Sequence, residues 1–273
     1  MPLAPFERLL PPTPGLQAAV RGIWCMSEPH AAGPDEQIVP PDDRVEVVFH
    51  SGDAWIHDGD GREPLPRVFI GGLRTRPVRV VSSGPTHMVS AWLHPWAAAA
   101  ILGHGRPVLG IHREVGPELR ALSSELCPLL SRGELGPAAE RLERWIARRA
   151  LAMTRAPRDA PKGWRAGVLV WESHGKAPLA ALAAREACSL RQLERRFQQV
   201  IGLSPRSLGR LVRFARAADR LDAEPKSHLV ALALDQGYAD QAHLTREFRL
   251  FAGMTPGRYA RDRAFPDGHA STG

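Results

Sequence analysis

LERRFQQVIGLSPRSL, Leu193 to Leu208, is written a second time as LTREFRLFAGMTPGRY, Leu244 to Tyr259, at an offset of 51 residues. Both copies run L-x-R-x-F, four residues, Gly, an apolar residue, Ser or Thr, and Pro. Leucine and phenylalanine four residues apart fall on one helix face. A glycine ends that helix, and a hydroxyl residue followed by proline opens the next. One helix-and-stop unit is therefore used twice, with an arginine at the same place in each.

Working outward, LAALAAREA (Leu179 to Ala187) reads as a short helix ending in a tight turn at Cys188. Ser189 with Gln192 three residues on has the form of a capping box, which starts a second helix at a defined residue. Leu190, Leu193, Phe197 and Val200 line its inner face; Arg191, Gln192, Glu194, Arg195 and Gln198 are left on the outer one. The second unit repeats the plan: LVALALDQ (Leu229 to Gln236), a turn at Gly237-Tyr238, then Asp240 as N-cap of QAHLTREFRLF. There Leu244 and Phe248 point inward, while Gln241, His243, Thr245 and Arg246 face out. Two short helices joined by a tight turn, the second exposing such side chains, suit a major-groove reader. The groove admits one helix; arginine pairs with guanine O6 and N7, glutamine with adenine N6 and N7.

Charge points the same way. Residues 161–273 carry 18 Arg and Lys against 11 Asp and Glu, while residues 1–160 carry 18 of each, so the whole net charge of +7 sits in the C-terminal part. A basic domain beside a neutral one suggests a polyanionic partner, most often nucleic acid and, beside a major-groove reader, double-stranded DNA; a merely soluble basic domain is the competing reading.

The 273 residues suit two domains. RAPRDAPKG (Arg155 to Gly163) lacks periodicity and coincides with the charge boundary. The expected division is an α+β sensor or dimerisation domain over 1–156, a linker over 157–163, an all-α domain of two helix-turn-helix units over 164–263, and a disordered tail over 264–273. In the first domain VEVVFH, VFIGG, VRVVSS and HMVSAWLH (beginning at residues 45, 68, 78 and 87) are strand-like runs, and helical patterning begins at Pro95. PELRALSSEL aligns Leu119, Leu122 and Leu126, with Pro128 expected to end or kink the helix. PAAERLERWIARRALAM, from Pro137, aligns Leu142, Trp145, Ile146 and Met153 and offers a surface for a homodimer.

At these residues the chain resembles the AraC/XylS-type transcription regulators. Over about residues 161–263 the resemblance is carried by SLRQLERRFQQVIGLSP and, more closely, by GYADQAHLTREFRLFAGMTPGRYAR. VPPDDRVEVVFH, GGLRTRP and VSAWLHPWAAAAILG are similar to the sensor-like domain of one subgroup. The resemblance implies base contacts from Arg191, Glu194 and Arg195 in the first recognition helix, and from Gln241, Ala242, His243, Thr245 and Arg246 in the second. Three positions depart from the pattern: Ala187 stands for a turn glycine, Ala242 for a serine and Leu244 for a phenylalanine.

Simpler readings compete at several positions. Arg195 and Arg246 could form surface salt bridges, Glu194 could pair with an arginine rather than cytosine, and His243 could be solvated. Cys188 suits a small buried hydrophobe. Trp24, Trp55, Phe69 and Trp92, with Trp96, either line an effector pocket or form the core of a small β-rich domain. The seven histidines of the N-terminal part, His30, His50, His57, His87, His94, His104 and His112, show no metal-binding spacing. No catalytic motif is present, and no cofactor is expected. Three dispersed cysteines and no long apolar run predict a cytoplasmic protein without a signal peptide or membrane span. The expected function is sequence-specific transcription regulation under a small-molecule effector, with RNA polymerase as a partner if it activates. The alternatives are a DNA-tethered enzyme such as a repair fusion, which would want more cysteines, and a nonspecific architectural binder.

Overall fold

A computed structural model describes residues 6–28, 34–58, 61–154 and 163–264. Residues 157–162 of the expected linker, residues 265–273 of the expected tail, and His30 lie outside the described residues.

The chain is α+β, with its strands gathered before residue 113. A six-stranded sheet takes the order β1 (Phe6–Leu10), β2 (Val20–Glu28), β9 (Thr86–Leu93), β4 (Val45–His50), β7 (Val68–Gly71) and β10 (Ile111–His112). A four-stranded sheet takes the order β3 (Asp35–Val39), β8 (Val78–Ser83), β5 (Asp53–Asp58) and β6 (Gly61–Pro64). The apolar runs seen in the sequence became β4, β7, β8 and β9. Among the others, β3 (DEQIV) and β6 (GREP) show little apolar alternation and form the two edges of the smaller sheet.

Register sorts the larger sheet into two faces, because paired residues of neighbouring strands share a side. Ile23, Ala91, Val47 and Ile70 form one cross-strand row, all buried against helices α2 (Pro117–Ser131) and α3 (Leu135–Thr154). Leu119, Leu122 and Leu126 of α2 and Leu142, Trp145 and Ile146 of α3 complete that core. The stripe offered as a dimer surface is thus spent within its own part. Pro128 does not end its helix. α2 continues to Ser131, since Leu126, Leu129 and Leu130 on either side of the proline are buried, and their burial outweighs the lost backbone hydrogen bond of a last-turn proline.

The C-terminal part is helical throughout: α4 (Trp164–Glu172), α5 (Leu179–Arg185), α6 (Leu190–Val200), α7 (Pro205–Ala223), α8 (Leu229–Asp235), α9 (Gln241–Ala252) and α10 (Pro256–Ala264). Among the described residues no helix is long and apolar enough to cross a membrane. α4 packs on α1 (Pro95–Ile101) of the N-terminal part. At this seam the ring of His94 stacks on Trp96 at 4.4 Å and meets Trp171 edge-on at 4.8 Å. His94 is 3% exposed, and its Nδ1 has no hydrogen-bond partner. Burial, reinforced by the Arg21 guanidinium, pushes its pKa down to about 3.

A histidine whose folded pKa lies below its unfolded value stabilises the fold at neutral pH and loses that contribution as pH falls. Between pH 6.5 and about 3 the unfolded chain binds the proton and the folded chain does not. Buried Asp43, salt-bridged to Arg21 and pushed up to about 7 by burial, acts with the opposite sign over the same range. Replacement isolates the histidine. Lowering pH from 6.5 to 5 should cost the wild type about 2 kcal/mol more unfolding free energy than His94→Phe, read by chemical denaturation at each pH.

Candidate nucleic-acid interface

Each unit is two helices on a tight turn, α5–α6 and α8–α9. In the first turn Ala187 and Cys188 donate to the Ala184 and Ala183 carbonyls at 3.1 and 3.0 Å. In the second, Gly237 and Tyr238 donate to Leu234 and Ala233 at 3.0 and 2.9 Å. These equivalent bonds lie 50 residues apart, whereas the recognition helices lie 51 apart, so the second turn holds one extra residue. That residue is Ala239, whose N–H donates to His243 Nδ1 at 3.4 Å. Ala187, where the usual glycine is missing, takes φ +46°, the same left-handed region as Gly237 at +78°. Cys188 is half-buried against the core.

Both recognition helices begin on a side-chain cap. Ser189 Oγ accepts the Gln192 N–H at 3.3 Å while Gln192 Oε1 accepts the Ser189 N–H at 3.0 Å. Asp240 Oδ1 accepts the His243 N–H at 2.6 Å. Leu193 and Phe197 of α6, and Leu244 and Phe248 of α9, are buried as the repeat demands; Leu244 fills the core in place of phenylalanine.

The predicted contact residues divide by what they already do. Ser189, Gln192 and Asp240 are caps, and Gln192 has committed its carbonyl oxygen. His243 is half-buried, with Nδ1 accepting from Ala239 and its ring edge-on to Tyr238 at 5.2 Å. Thr245 Oγ1 donates to the Gln241 carbonyl at 2.8 Å, turning its hydroxyl back onto the helix. Arg191, Glu194, Arg195, Gln241, Ala242 and Arg246 are exposed. No other described residue hydrogen-bonds to or pairs with the side chains of Arg191, Glu194, Arg195, Gln241 or Arg246, so the surface salt bridges considered for the arginines are not formed among the described residues.

Sequence reasoning missed the group that holds the second helix in place. Glu247, buried on the inner face of α9, receives two hydrogen bonds from Arg210 of α7, Nε to Oε2 at 3.0 Å and Nη2 to Oε1 at 2.7 Å. Its position was readable: a carboxylate between Leu244 and Phe248 on an apolar stripe must find a cation. The nineteen-residue α7 joins the units, and Arg213 from it donates to the Gly175 carbonyl at 2.5 Å.

The effector candidates do not converge. Trp24 and Trp92 stack at 6.2 Å on neighbouring strands. Phe69 shares their face of the six-stranded sheet, in the row Trp24–Ser90–Val48–Phe69. Trp55 lies on the other sheet, under Arg62 at 4.3 Å. All four are half-buried; Trp96 alone of the aromatic set belongs to the core.

A family model described as a helix-turn-helix domain matches residues 182–262, and one described as a domain of unknown function matches residues 8–109. Residues 182–262 thus form a helix-turn-helix domain of the AraC type. Two crystal structures of ToxT from Vibrio cholerae share the fold at 11% identity. One, from strain O395, has a TM-score of 0.50 over 88% of this chain and 96% of that one; the other has a TM-score of 0.51 over 88% and 97%. An AraC-type DNA-binding domain protein from Chromobacterium violaceum is 27% identical over 39% of this chain and 95% of that one, with a TM-score of 0.36. No curated protein matches the sequence. The helix-turn-helix domain supports a DNA-binding transcription regulator.

The strained turn offers a direct test of the regulator's stability. A left-handed alanine costs about 1–2 kcal/mol, partly offset by the greater unfolded-state entropy of glycine. Ala187→Gly should stabilise the protein by about 0.5–1 kcal/mol, measured by chemical denaturation; a loss of stability would show that the turn is not strained.

Proposed function

We propose that this regulator reads two successive major grooves of one duplex, α6 in the first and α9 in the second. The observation that carries this reading is the pair of capped helices whose Arg191, Arg195, Gln241 and Arg246 side chains pair with no other described residue, joined by one continuous helix. At about 1.5 Å per residue α7 is about 28 Å long, comparable with the roughly 34 Å between successive major grooves on one side of B-DNA. Arg191 and Arg195 face guanines or phosphates from α6, with Glu194 accepting from cytosine N4; Gln241 and Arg246 face bases from α9. Ala242 and the Thr245 methyl supply apolar contact, and His243 can donate from Nε2. Ser189, Gln192 and Asp240 support the readers by fixing their first turns.

The division into an N-terminal domain over 1–156 and a DNA-binding domain over 164–263 belongs to the same proposal, with the N-terminal domain taking a small-molecule effector. Support comes from the sheet face bearing Trp24, Trp92 and Phe69. There Ser90 Oγ, Trp92 Nε1 and Arg74 Nε are buried donors without a hydrogen-bond partner, and Arg44 lies 3.6 Å over the Trp92 ring. RNA polymerase, for a site placed to activate, and a second copy of the chain are the proposed protein partners, in the cytoplasm.

Selection from a random duplex library should return one asymmetric site of two short elements about a helical turn apart. On that site Arg195→Ala and Arg246→Ala should each cost about 1–3 kcal/mol and relax preference at a different element, and wild-type affinity should fall steeply with salt. Enrichment of composition alone would favour nonspecific architectural binding.

A further inference from the structure

The two recognition helices are held by different partners. α9 is secured by the shared helix α7: Glu247 is locked to Arg210, and Phe214 meets Phe248 and Phe251, each at 5.0 Å. The N-terminal part approaches this unit at Pro77, 3.9 Å from where a Cβ on Gly253 would lie, an ordinary van der Waals distance.

Among the described residues α6 has no such lock. At the 51-residue offset, Glu247 corresponds to Arg196, whose Nη1 reaches only the Glu186 carbonyl at 3.5 Å. At its C-terminal end α6 meets α4 and, across α4, the N-terminal part. Ile201, its C-cap residue, is 1% exposed and shares one small space with Trp96 of α1. That space is the missing side chain of Gly167 in α4: a Cβ there would lie 2.8 Å from Ile201 Cδ1 and 2.9 Å from Trp96 Cε3. Trp96 is itself tied down, its Nε1 donating to the Ala18 carbonyl at 2.9 Å. The next residue, Gly202, turns at φ +84° directly beneath Pro107 and Leu109, which would come within 2.9 and 3.0 Å of an added Cβ. Side chains this closely packed transmit displacement rather than absorb it.

Resting on the two-groove reading above, we infer that Trp96 is a positioning residue for the first recognition helix. The N-terminal part, through Trp96 and the Pro107–Leu109 segment, sets base reading by α6, while α9 reads independently of it. Base readout tolerates only small angular error. A shift of this seam changes sequence preference at one element of the site and leaves the other as it was.

The test uses the full-length protein and its selected duplex, with each element scrambled in turn. Arg195→Ala and Arg246→Ala assign the elements to their helices. Gly167→Ala forces Ile201 or Trp96 to move, and Trp96→Phe thins the same contact. Leu109→Ala loosens the seam from a side chain that is 40% exposed, keeping a readable variant if either of the others folds poorly. Discrimination at the α6 element should fall about tenfold in these proteins, with the α9 element within about twofold of wild type. Glu247→Gln should show the reverse pattern. A change that merely destabilises the fold weakens binding to every duplex alike, so the ratio between elements separates positioning from unfolding. Equal losses at both elements, or unchanged discrimination in all three seam variants, would overturn the inference and leave the two-groove reading standing. A wild type that discriminates at neither element overturns both.

Discussion

The C-terminal part is built against the buried faces of α7. Ten of its nineteen residues are buried, so this helix is less a connector than the shared core of two units. On the first unit's side, Gly175 and Gly209 bring backbone to backbone: a Cβ on Gly175 would stand 2.2 Å from the Gly209 carbonyl oxygen. Arg213 closes that contact by donating to Gly175. On the second unit's side, Phe214 and Arg210 meet α9. The segment between α4 and α5 also touches the second unit, since Lys176 Nζ donates to the Asp235 carbonyl at 2.6 Å and covers the end of α8. Short helices of seven residues such as α5 and α8 are unstable alone. They persist because α6 packs on α5 and α9 on α8, burying Leu182, Ala183, Leu232 and Ala233.

The polar side of the same helices follows from that burial. With Leu193 and Phe197, or Leu244 and Phe248, fixed inward, helical geometry leaves Arg195 and Arg246 no place but the outer face. Several residues there serve the helix rather than a partner. Gln192, His243 and Thr245 have each turned a hydrogen-bonding group back to the backbone, which stiffens the first turn of each reader. A stiff reader loses little entropy on binding, whereas a flexible one would spend part of its contact energy on being ordered.

Much of this was legible from residue patterns because it depends on local rules. Periodicity located α6 and α9, and the Ser189–Gln192 box and the Asp240 cap marked their first residues. The signals that failed were those whose meaning is set by distant neighbours. Pro128 reads as a helix end until Leu129 and Leu130 are seen to be buried beyond it. The apolar stripe of α3 reads equally as a dimer seam or a core face, and only the six-stranded sheet beneath it decides for the core. β3 and β6 carry almost no alternation, and their strand character comes from pairing with β8 and β5.

By itself, the sequence determined the repeat, the helix-turn-helix units, their caps, the inward and outward faces, and the concentration of positive charge after residue 160, because each depends only on residue types and their order along the chain. Tertiary structure alone decided three things: that Glu247 is bound by Arg210, thirty-seven residues away, that Trp24 and Trp92 stack while Trp55 stands on another sheet, and that Trp96 abuts the end of a recognition helix more than a hundred residues later. These are contacts between side chains that chain connectivity leaves free to lie anywhere. Only the packing of sheets and helices brings them within a few ångströms.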